Sequence, residues 1–312
     1  MISRADTHVH TYYSGTTNYK ALRFPESVTT PQEQVEAARE NGMNLLCITD
    51  HDAIKGALVA REYAKQYEDF TVVIGEEITT ADGEVLAYGL NELIPPGLSI
   101  EDTMDRIRSQ DALAVAPHPY SFYLNCLKDR IKDLDLDGIE TLNGGHVDKF
   151  TNTKAQMVFK KNPGRWAALS GSDAHSTYTT GYNWTEFDGC GEEDFRHAII
   201  KKKTIPCGRP APVITQVQWS IKVVTDAQVM MAKALVGKLE PMPDNPLVTK
   251  VLSLPTVKKV AGIIGGSIYL IPPIPYIGAF AATRWLEKKS QALLNQIEYK
   301  LEVSNCPKPP IK

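Results

Sequence analysis

The sequence predicts an α/β barrel over residues 1–209, followed by a mainly helical region over residues 210–312. The first part alternates short apolar runs with helical patterns, which favours parallel strands joined by crossover helices. About seven such strand–helix units favour a barrel over an open sheet. None of the predicted strands is followed by a glycine-rich phosphate loop, which disfavours an open nucleotide-binding sheet.

The predicted elements are apolar runs or helical patterns that stop at turn residues. The first strand precedes His10, and the strand of residues 44–49 ends where Asp50 begins a polar stretch. The polar helix of residues 32–41 stops at Gly42, a residue type that commonly ends helices. Further strands are predicted at 70–74, 83–88, 112–116, 138–142 and 167–170, and further helices at 57–67, 100–109, 154–161 and 194–201.

Charge and cysteine content limit the class of protein. A net charge of −3 over 312 residues argues against a general nucleic-acid coat, so no stable nucleic-acid partner is expected. A nucleotide site remains compatible with this charge, because bound metal ions add positive charge. The five cysteines are scattered and form no CxxC pair, which indicates reduced thiols. With no apolar secretory signal at the N-terminus, we expect a cytoplasmic protein.

Two histidines near the N-terminus, His8 and His10, are one residue apart at the end of the first predicted strand. Alternate residues of a strand share a face, so both imidazoles point the same way. Two imidazoles on one face can bind one metal ion. The alternative is a pair of surface histidines in a disordered N-terminal segment.

The rest of the chain favours the metal site. In parallel barrels, catalytic residues lie at the carboxyl ends of the strands. Unrelated surface histidines would have no reason to collect at strand ends. The metal-binding candidates at predicted strand ends are His8, His10, His51, Glu77, His118, Asp173 and His175.

Five short motifs resemble those of the PHP family, the polymerase and histidinol phosphatase phosphoesterases. They are DTHVHT at 6–11, ITDHD at 48–52, GEEITT at 75–80, PHP at 117–119 and GSDAH at 171–175. They occur in the family's order and cover roughly residues 1–209. The resemblance implies a distorted (β/α)7 barrel with two or three divalent metal ions (Mn, Fe, Zn or Mg) that hydrolyses phosphate esters.

The resemblance also implies roles for individual ligands. His8 and His10 resemble the paired ligands of a first metal, and Asp173 resembles their partner. Glu77 resembles the carboxylate that bridges to a second metal. His118 resembles a ligand of that second metal.

A third metal is implied at His51 and His175, and either histidine is a candidate general acid if it is not fully committed to metal. Asp50, just before His51, is expected to orient a histidine from behind the ligands. Glu76 is the less suitable of the two adjacent glutamates, because the family's carboxylate stands two residues after the glycine.

The chain departs from the family pattern at two positions. Glu84 stands where the family often has a histidine, and a carboxylate there would favour Mn²⁺, Mg²⁺ or Fe²⁺ over Zn²⁺. The alternative for Glu84 is a solvated strand residue. Gly15 stands where many members have an acid seven residues after the first histidine. The third metal would then be weak, absent or completed by substrate oxygens.

A phosphate substrate requires further polar groups. Arg209, in a turn after the last predicted barrel helix, is a candidate for binding phosphate, with Arg130 and Arg165 as weaker candidates. Asn143 and His146 follow a predicted strand and are candidates for lining the pocket. The alternatives are a surface charge for Arg209 and a loop histidine with no metal role for His146.

The C-terminal region has a different character. A boundary is predicted at 210–212, and a helix at 226–239 is followed by a Pro-rich link at 241–246. The run 260–286 is apolar, lacks acidic residues, and is divided by Pro272 and its neighbours into two halves too short to cross a membrane. Lysine pairs at both ends favour a hairpin associated with the cytoplasmic face of a membrane. The alternatives are a hairpin packed on the barrel and a subunit interface.

These observations favour a metal-dependent hydrolase acting on a small phosphomonoester, such as a nucleotide. Clustered divalent ions polarise a phosphoryl oxygen and lower the pKa of water, so no serine or cysteine nucleophile is needed. The alternatives are an exonuclease-like phosphodiesterase and a non-catalytic PHP module recruited to a membrane or partner. An amide hydrolase is disfavoured, because no predicted strand ends in a metal-bridging lysine.

Overall fold

The computed structural model describes residues 1–17 and 23–305, and within that part nine strands form one sheet. The strands are β1 (Ile2–Val9), β2 (Leu45–Ile48), β3 (Thr71–Thr79), β4 (Glu84–Tyr88), β5 (Leu113–Ala116), β6 (Gly138–Asn143), β7 (Ala167–Gly171), β8 (Asn183–Asp188) and β9 (Ile205–Gly208). Their order is β7-β6-β5-β4-β3-β2-β1-β8-β9.

The first seven strands form the distorted barrel that the sequence predicts. β1, β2 and β3 are parallel, as are β5, β6 and β7, whereas β4 is antiparallel to both of its neighbours. The barrel nearly closes where the segment after β7 meets the end of β1. There the amide of His10 donates to the carbonyl of Ala174 at 2.9 Å, and the amide of Ala174 donates to the carbonyl of His8 at 3.3 Å.

Two strands were not predicted from the sequence. β8 pairs antiparallel with β1, and β9 pairs antiparallel with β8. Their sequences, NWTEFD and IPCG, carry neither a continuous apolar run nor a strong period-two pattern. They extend the sheet on the outer side of β1.

The barrel helices are α1 (Pro31–Glu40), α2 (Lys55–Ala64), α3 (Ile100–Ser109), α4 (Lys149–Lys161) and α5 (Gly191–Ile200). α1 begins at a capping box, in which Thr30 and Glu33 satisfy each other's backbone amides, with Pro31 in the first turn. α4 begins five residues before the predicted start at 154, because Asp148 caps it by accepting from the amide of Thr151 at 2.8 Å.

The apolar core of the described residues consists of two clusters. One buried cluster joins the sheet to the helices and includes Val35 and Ala60. A second buried cluster contains alternate residues of the strands, among them Cys47, Leu169 and Phe187. Alternation places these side chains on one face of the sheet. The polar side chains of the candidate site lie at one end of the barrel, beyond these apolar clusters.

The C-terminal region is helical, with α6 (Val213–Leu235), α7 (Pro246–Ser253), α8 (Thr256–Tyr269) and α9 (Ile274–Asn305). α6 begins at Val213, well before the predicted start at 226, and α7 was not predicted. The predicted division of residues 260–286 is present, since α8 ends before Pro272 and α9 begins after Pro273. In the described chain no helix is by itself long and apolar enough to cross a membrane, although α8 and the first part of α9, bent by 78°, meet that test together.

The helical region packs on the barrel and on itself. The amide of Phe150 in α4 donates to Ser290 Oγ in α9 at 2.8 Å. Gly262 and Gly266 of α8 face α6, where a Cβ on Gly266 would lie 2.9 Å from Gln228 Nε2. Gln228 Nε2 also donates to the carbonyl of Ile263 at 2.7 Å. Glycine at these two positions therefore permits close packing of α8 on α6. The division of the chain at residue 209 stays a prediction.

Candidate metal centre

Histidines and carboxylates from successive strands meet at one end of the barrel. Most of them follow or end a parallel strand, and the carboxyl ends of parallel strands share one edge of the sheet. Glu84 reaches the same end because it is the first residue of β4, which runs in the opposite direction. Glu77 was expected just after a strand but lies inside β3, which continues to Thr79 because it pairs with β4.

Glu77 lies at the centre of this cluster and is buried. Its Oε2 atom is 3.2 Å from His8 Nε2, 3.3 Å from His10 Nε2 and 3.2 Å from His51 Nδ1. Its Oε1 atom is 3.2 Å from His118 Nε2. The two oxygens therefore face different histidines, as a carboxylate shared between two cations requires.

Asp173 approaches the same histidines from the opposite side. Its Oδ1 atom is 3.5 Å from His8 Nε2 and 3.3 Å from His10 Nε2. His10 Nε2 is fully buried and has no hydrogen-bond partner among the described residues. An unpaired buried nitrogen costs free energy, and a cation at this point would use it as a ligand.

The donor atoms therefore fit divalent metal. Three groups place their ligand atoms within 4.8 Å of one another in the described part of the chain. Imidazole and carboxylate ligands suit Zn, Fe and Mn. The groups are His8 with His10 and Glu77, His51 with Glu77 and Glu84, and His10 with His51 and His175.

A buried glutamate that the sequence did not single out, Glu140 in β6, holds this cluster from behind. Its Oε1 atom is 3.0 Å from His8 Nδ1, and its Oε2 atom accepts from the amide of His118 and from Asn143 Nδ2, both at 2.8 Å. Such a partner fixes the ring orientation of a metal-binding histidine. A charged residue inside the apolar run at 138–142 was the available signal.

Asp50 positions His10 through Ser14. Asp50 Oδ1 accepts from Ser14 Oγ at 2.7 Å and from the amide of Thr11 at 2.6 Å. Ser14 Oγ is in turn 3.1 Å from His10 Nδ1. Asp50 thus lies behind a histidine, as expected, but the histidine is His10, and Asp50 is fully buried rather than facing the cavity.

Asp6 ties β1 to the loop that carries Asp173. Its carboxylate accepts from the amide and hydroxyl of Ser172 at 2.9 and 2.6 Å and from the amide of Gly181 at 2.7 Å. Burial raises the pKa of Asp6 to about 6. These bonds fix the loop on which two candidate ligands stand.

The protonation of the cluster reflects its burial and its opposite charges. Burial lowers the pKa of His10 well below its usual value. Burial opposes the charged form of His118 too, but the hydrogen bond and charge of Glu77 raise its pKa to about 9. Burial and the charge of Glu77 raise the pKa of Glu84 to about 7. A bound cation would displace such protons, since ligands bind metal in their deprotonated forms.

A cavity of about 650 Å³ opens above the cluster. His51, Glu84, His118 and Asp173 form part of its wall. His146 lines it as well, with Nδ1 2.8 Å from the hydroxyl of Tyr123 and 3.0 Å from Asp148.

Other predicted substrate residues lie elsewhere. Asn143 is buried beneath the cluster and donates to Glu140 and Asp173. Arg209 is exposed, its guanidinium lies 5.9 Å from the ring of Tyr182, and it does not line the cavity.

The two weaker candidates are also engaged elsewhere. Arg130 binds the carboxylates of Asp82 and Glu101. Arg165 donates to the carbonyl of Lys132. Neither contributes to the cavity wall.

The start of the C-terminal region forms part of the cavity wall. Thr215, Gln216 and Trp219 of α6 line it. Trp219 Nε1 donates to the carbonyl of Glu26 at 3.0 Å, and its ring meets that of His175 edge-on at 6.3 Å. This contact was not predicted, because the helix was expected to begin at residue 226, after Trp219.

The fold and the ligand cluster define a barrel-type metal-dependent hydrolase. A family model described as PHP domain matches residues 6–203, so the chain belongs to the PHP domain family. All the candidate ligands, from His8 to His175, fall within the matched residues. Family membership supports metal-dependent hydrolysis and leaves the substrate open.

The chain is similar in sequence to an archaeal protein and similar in fold to bacterial proteins of known structure. The uncharacterised protein MJ1587 of Methanocaldococcus jannaschii is 44% identical over 161 residues, which are 51% of this chain and 94% of that protein. PsfC from Pseudomonas syringae PB-5123 has a similar fold, with a TM-score of 0.50 at 17% identity over 66% of this chain and 91% of that chain. A Bifidobacterium adolescentis protein, provisionally described as a metal-dependent phosphoesterase, aligns with a TM-score of 0.45 at 18% identity. The alignment covers 55% of this chain and 88% of that chain.

Proposed function

We propose that this protein hydrolyses the phosphate ester of a small phosphomonoester, such as a nucleotide, with divalent metal ions as cofactors. The observation that carries the proposal is the position of Glu77, which meets two sets of histidines with its two oxygens at the floor of an open cavity. One ion would be held by His8 and His10 together with Glu77 and Asp173. A second would be held by the other oxygen of Glu77.

The second ion would have its remaining ligands in His118 and Glu84 of the opposite wall. His118 reaches Glu77 Oε1 at 3.2 Å, and Glu84 lies 3.8 Å from His118. Bound divalent ions supply charge that polarises a phosphoryl oxygen and lowers the pKa of an attacking water.

The protein's own residues would handle protons and orientation. The side chains of His51 and His175 are 25% and 21% exposed, whereas those of His8 and His10 are fully buried. Only an accessible imidazole can pass a proton to a leaving oxygen, so His51 and His175 are the proposed general acids when no third cation binds them. Glu140 would act through His8, whose ring it holds in place.

Phosphate binding would depend on the cations and histidines. Among the described residues that line the cavity there is no lysine or arginine, and hydroxyl groups such as those of Thr79, Ser176 and Thr215 are numerous instead. Hydroxyls orient a phosphate or a sugar without neutralising it. Metal and imidazolium are therefore the proposed counter-charges, and a role for Arg209 would require it to move.

The first test measures metal and hydrolysis on the full chain purified without chelator. We expect two or three equivalents of Mn, Fe or Zn, and hydrolysis of p-nitrophenyl phosphate and nucleoside monophosphates. Asp173→Asn should abolish both the bound metal of the first site and the activity. His197→Ala is the matched control, because His197 is exposed on α5 and contacts Glu193 instead of the cluster.

The alternatives give different results in the same assay. An exonuclease-like enzyme would prefer bis-p-nitrophenyl phosphate and nucleotide ends to monoesters. A non-catalytic module would hold less than one equivalent of metal and hydrolyse neither substrate after Mn²⁺ is added. That last result would refute the proposal.

A further inference from the structure

After the first histidine pair, residues 15–17 pair with residues 24–26 through backbone hydrogen bonds. The amide of Glu26 donates to the carbonyl of Gly15 at 3.0 Å, and that of Thr17 donates to the carbonyl of Phe24 at 2.9 Å. Gly15 has φ 74° and ψ −128°, a backbone conformation that residues with a Cβ rarely adopt. An acid at position 15 would therefore strain the loop, and Glu26 is the acid that pairing places beside it.

The carboxylate of Glu26 faces the third group of donors. It lines the cavity, and its Oε2 atom is 3.7 Å from His175 Nε2. The other ring nitrogen of His175 is 3.1 Å from the carbonyl of Asp173, which leaves Nε2 directed towards Glu26. His175, His51 and the unpaired Nε2 of His10 belong to one donor group.

We propose that Glu26 is the carboxylate ligand of a third divalent cation, held with His51 and His175. The inference rests on the proposed function and names the residue that replaces the acid absent at Gly15. Nitrogen and oxygen ligands of one tetrahedral ion lie roughly 3.4 Å apart. The observed 3.7 Å between Glu26 and His175 therefore needs only a small side-chain adjustment.

The C-terminal region holds this ligand in place. Trp219 of α6 donates its indole N–H to the carbonyl of Glu26 at 3.0 Å. Its ring also lies 6.0 Å from that of Phe24, two residues earlier. Trp219 is thus a positioning residue for the third cation, and α6 links the helical region to the metal centre.

The test counts Mn²⁺ bound to the metal-stripped full chain by electron paramagnetic resonance of the free ion. We expect three sites in the wild type. Glu26→Gln should weaken the weakest site at least about tenfold and leave the other two unchanged. Glu40→Gln is the matched control, because Glu40 is an exposed glutamate at the end of α1. Trp219→Phe should weaken the same site by a smaller factor.

Two results would overturn this inference without touching the proposed function. One is a wild type that binds two ions only. The other is a Glu26→Gln protein that titrates like the wild type, which would leave Glu26 as an ion-pair partner of His175. A wild type that binds no Mn²⁺ tightly would refute the proposed function itself. Circular dichroism shows whether each variant is folded, and Trp219→Phe tests the site if Glu26→Gln does not fold.

A second inference concerns the apolar hairpin, defined here as residues 260–286. Its outer side is exposed rather than buried: Ile264, Ile268, Ile271, Ile277 and Phe280 are each more than half exposed. The opposite side of α8 packs on α6 through Gly262 and Gly266, so the orientation of the hairpin is fixed. Contiguous exposed apolar surface of this kind marks an interaction site.

The charges around the hairpin indicate which surface it meets. No acidic residue occurs between Asp244 and Glu287. Lys258, Arg284 and Lys288 are exposed near its two ends. Exposed apolar residues bordered by cations complement a bilayer with anionic headgroups.

We propose that the hairpin inserts its tip into the interface of an anionic membrane without crossing it. α8 has 14 residues, which span roughly 21 Å, less than the ~30 Å of a hydrocarbon core. Trp285, which is exposed at the cationic end, suits the headgroup region. The barrel, joined to α9 through Ser290, would then remain in the aqueous phase.

The test is flotation of the full chain with vesicles of phosphatidylcholine alone or with a third of phosphatidylglycerol. We expect the protein to float with the anionic vesicles only. Replacement of Ile268, Ile277 and Phe280 by serine should abolish flotation, and Lys258→Glu with Lys288→Glu should weaken it at least about tenfold. Leu93→Ser is the control, because Leu93 is an exposed apolar residue of the barrel.

Light scattering without lipid measures whether the chain is a monomer or a dimer, and so tests whether the hairpin binds a second copy of the chain instead of a membrane. A wild type that does not float with anionic vesicles overturns the proposal. So does a lipid-free dimer that the triple serine variant converts to monomers, because the apolar surface would then bind a second copy of the chain.

Discussion

The metal centre and the apolar hairpin depart in opposite ways from the usual burial of residues: the first buries chargeable side chains, and the second exposes apolar ones. In the barrel, His8, His10 and Glu77 are at most 1% exposed, although each can carry charge. In the hairpin, Ile277 and Phe280 are each 61% exposed, although each is apolar. Soluble domains normally bury the second kind of residue and expose the first. Each exception costs free energy until a ligand covers it: a cation for the buried charges and, we propose, lipid for the exposed hydrocarbon.

The two regions also differ in how firmly they are held. The buried ligands are held by three buried carboxylates: Glu140 contacts His8 directly, Asp50 acts through Ser14, and Asp6 acts through Ser172. The exposed residues of the hairpin are held by the packing of α8 on α6 and of α9 on α4 and α6. Ligand removal should therefore affect the two regions differently.

Removal of metal should have the largest effect, and it should be confined to the barrel. A ligand present at a thousandfold excess over its dissociation constant stabilises the folded state by about 4 kcal/mol. For a domain of this size that corresponds to a fall of roughly 10 °C in Tm after the metal is stripped. Scanning calorimetry before and after chelation measures the shift, and flotation with anionic vesicles should be unchanged.

The Asp173→Asn protein is the reference for this measurement. Because its first site should hold no metal, its Tm should fall less on chelation than that of the wild type. Equal Tm values for metal-loaded and metal-free wild type would show that the buried cluster is stable without cations, and the contrast between the two regions would fail.

Residue chemistry explains why the clustering of the candidate ligands could be predicted and the residues that support them could not. His8, His10, His118 and Asp173 stand in short motifs of residue types that are rare at strand ends by chance. Glu140 stands in no motif and was read as one residue of an apolar strand. Its role appears only when β6 places it beside His8, 132 residues away.

The fold shows the same limit. Parallel strands with apolar runs were predictable, and the family match confirms the barrel. The reversed direction of β4 and the antiparallel pair β8 and β9 depend on pairing between distant segments, which period and composition do not encode. The contact between Trp219 and Glu26 joins residues 193 positions apart, and it could not be predicted from the sequence either.

Glu140→Gln should have an intermediate effect, through the position of His8 rather than through direct contact with metal. Loss of such a supporting group typically weakens metal binding about 10–100-fold. We expect the Mn²⁺ affinity of the first site to fall by that factor, with hydrolysis restored by excess Mn²⁺. Glu68→Gln, at an exposed glutamate, is the matched control. A loss of activity that excess Mn²⁺ does not restore would assign Glu140 a different role.

Replacement of one glycine by alanine in each region should change the free energy of unfolding in opposite directions. A Cβ at Gly56 in α2 would lie 1.9 Å from Asp50 Oδ2 and 2.6 Å from Thr11 Oγ1, so it must displace the carboxylate that positions His10 through Ser14. Such overpacking costs about 1–3 kcal/mol. We expect Gly56→Ala to lower the free energy of unfolding by about that much and to weaken Mn²⁺ binding.

Gly265→Ala is the counterpart in the hairpin and should have the smallest effect, with the opposite sign. A Cβ at Gly265 meets no atom within 4 Å, and the residue lies inside α8. Alanine in a helix interior is favoured over glycine by up to about 1 kcal/mol, because the unfolded chain loses less backbone entropy on folding. Urea titration should show equal or slightly greater stability, with flotation unchanged. Destabilisation by this one methyl group would mean that a second protein surface already packs against this part of α8 in solution, and the hairpin would then be an interface between copies of the chain rather than a lipid-facing surface.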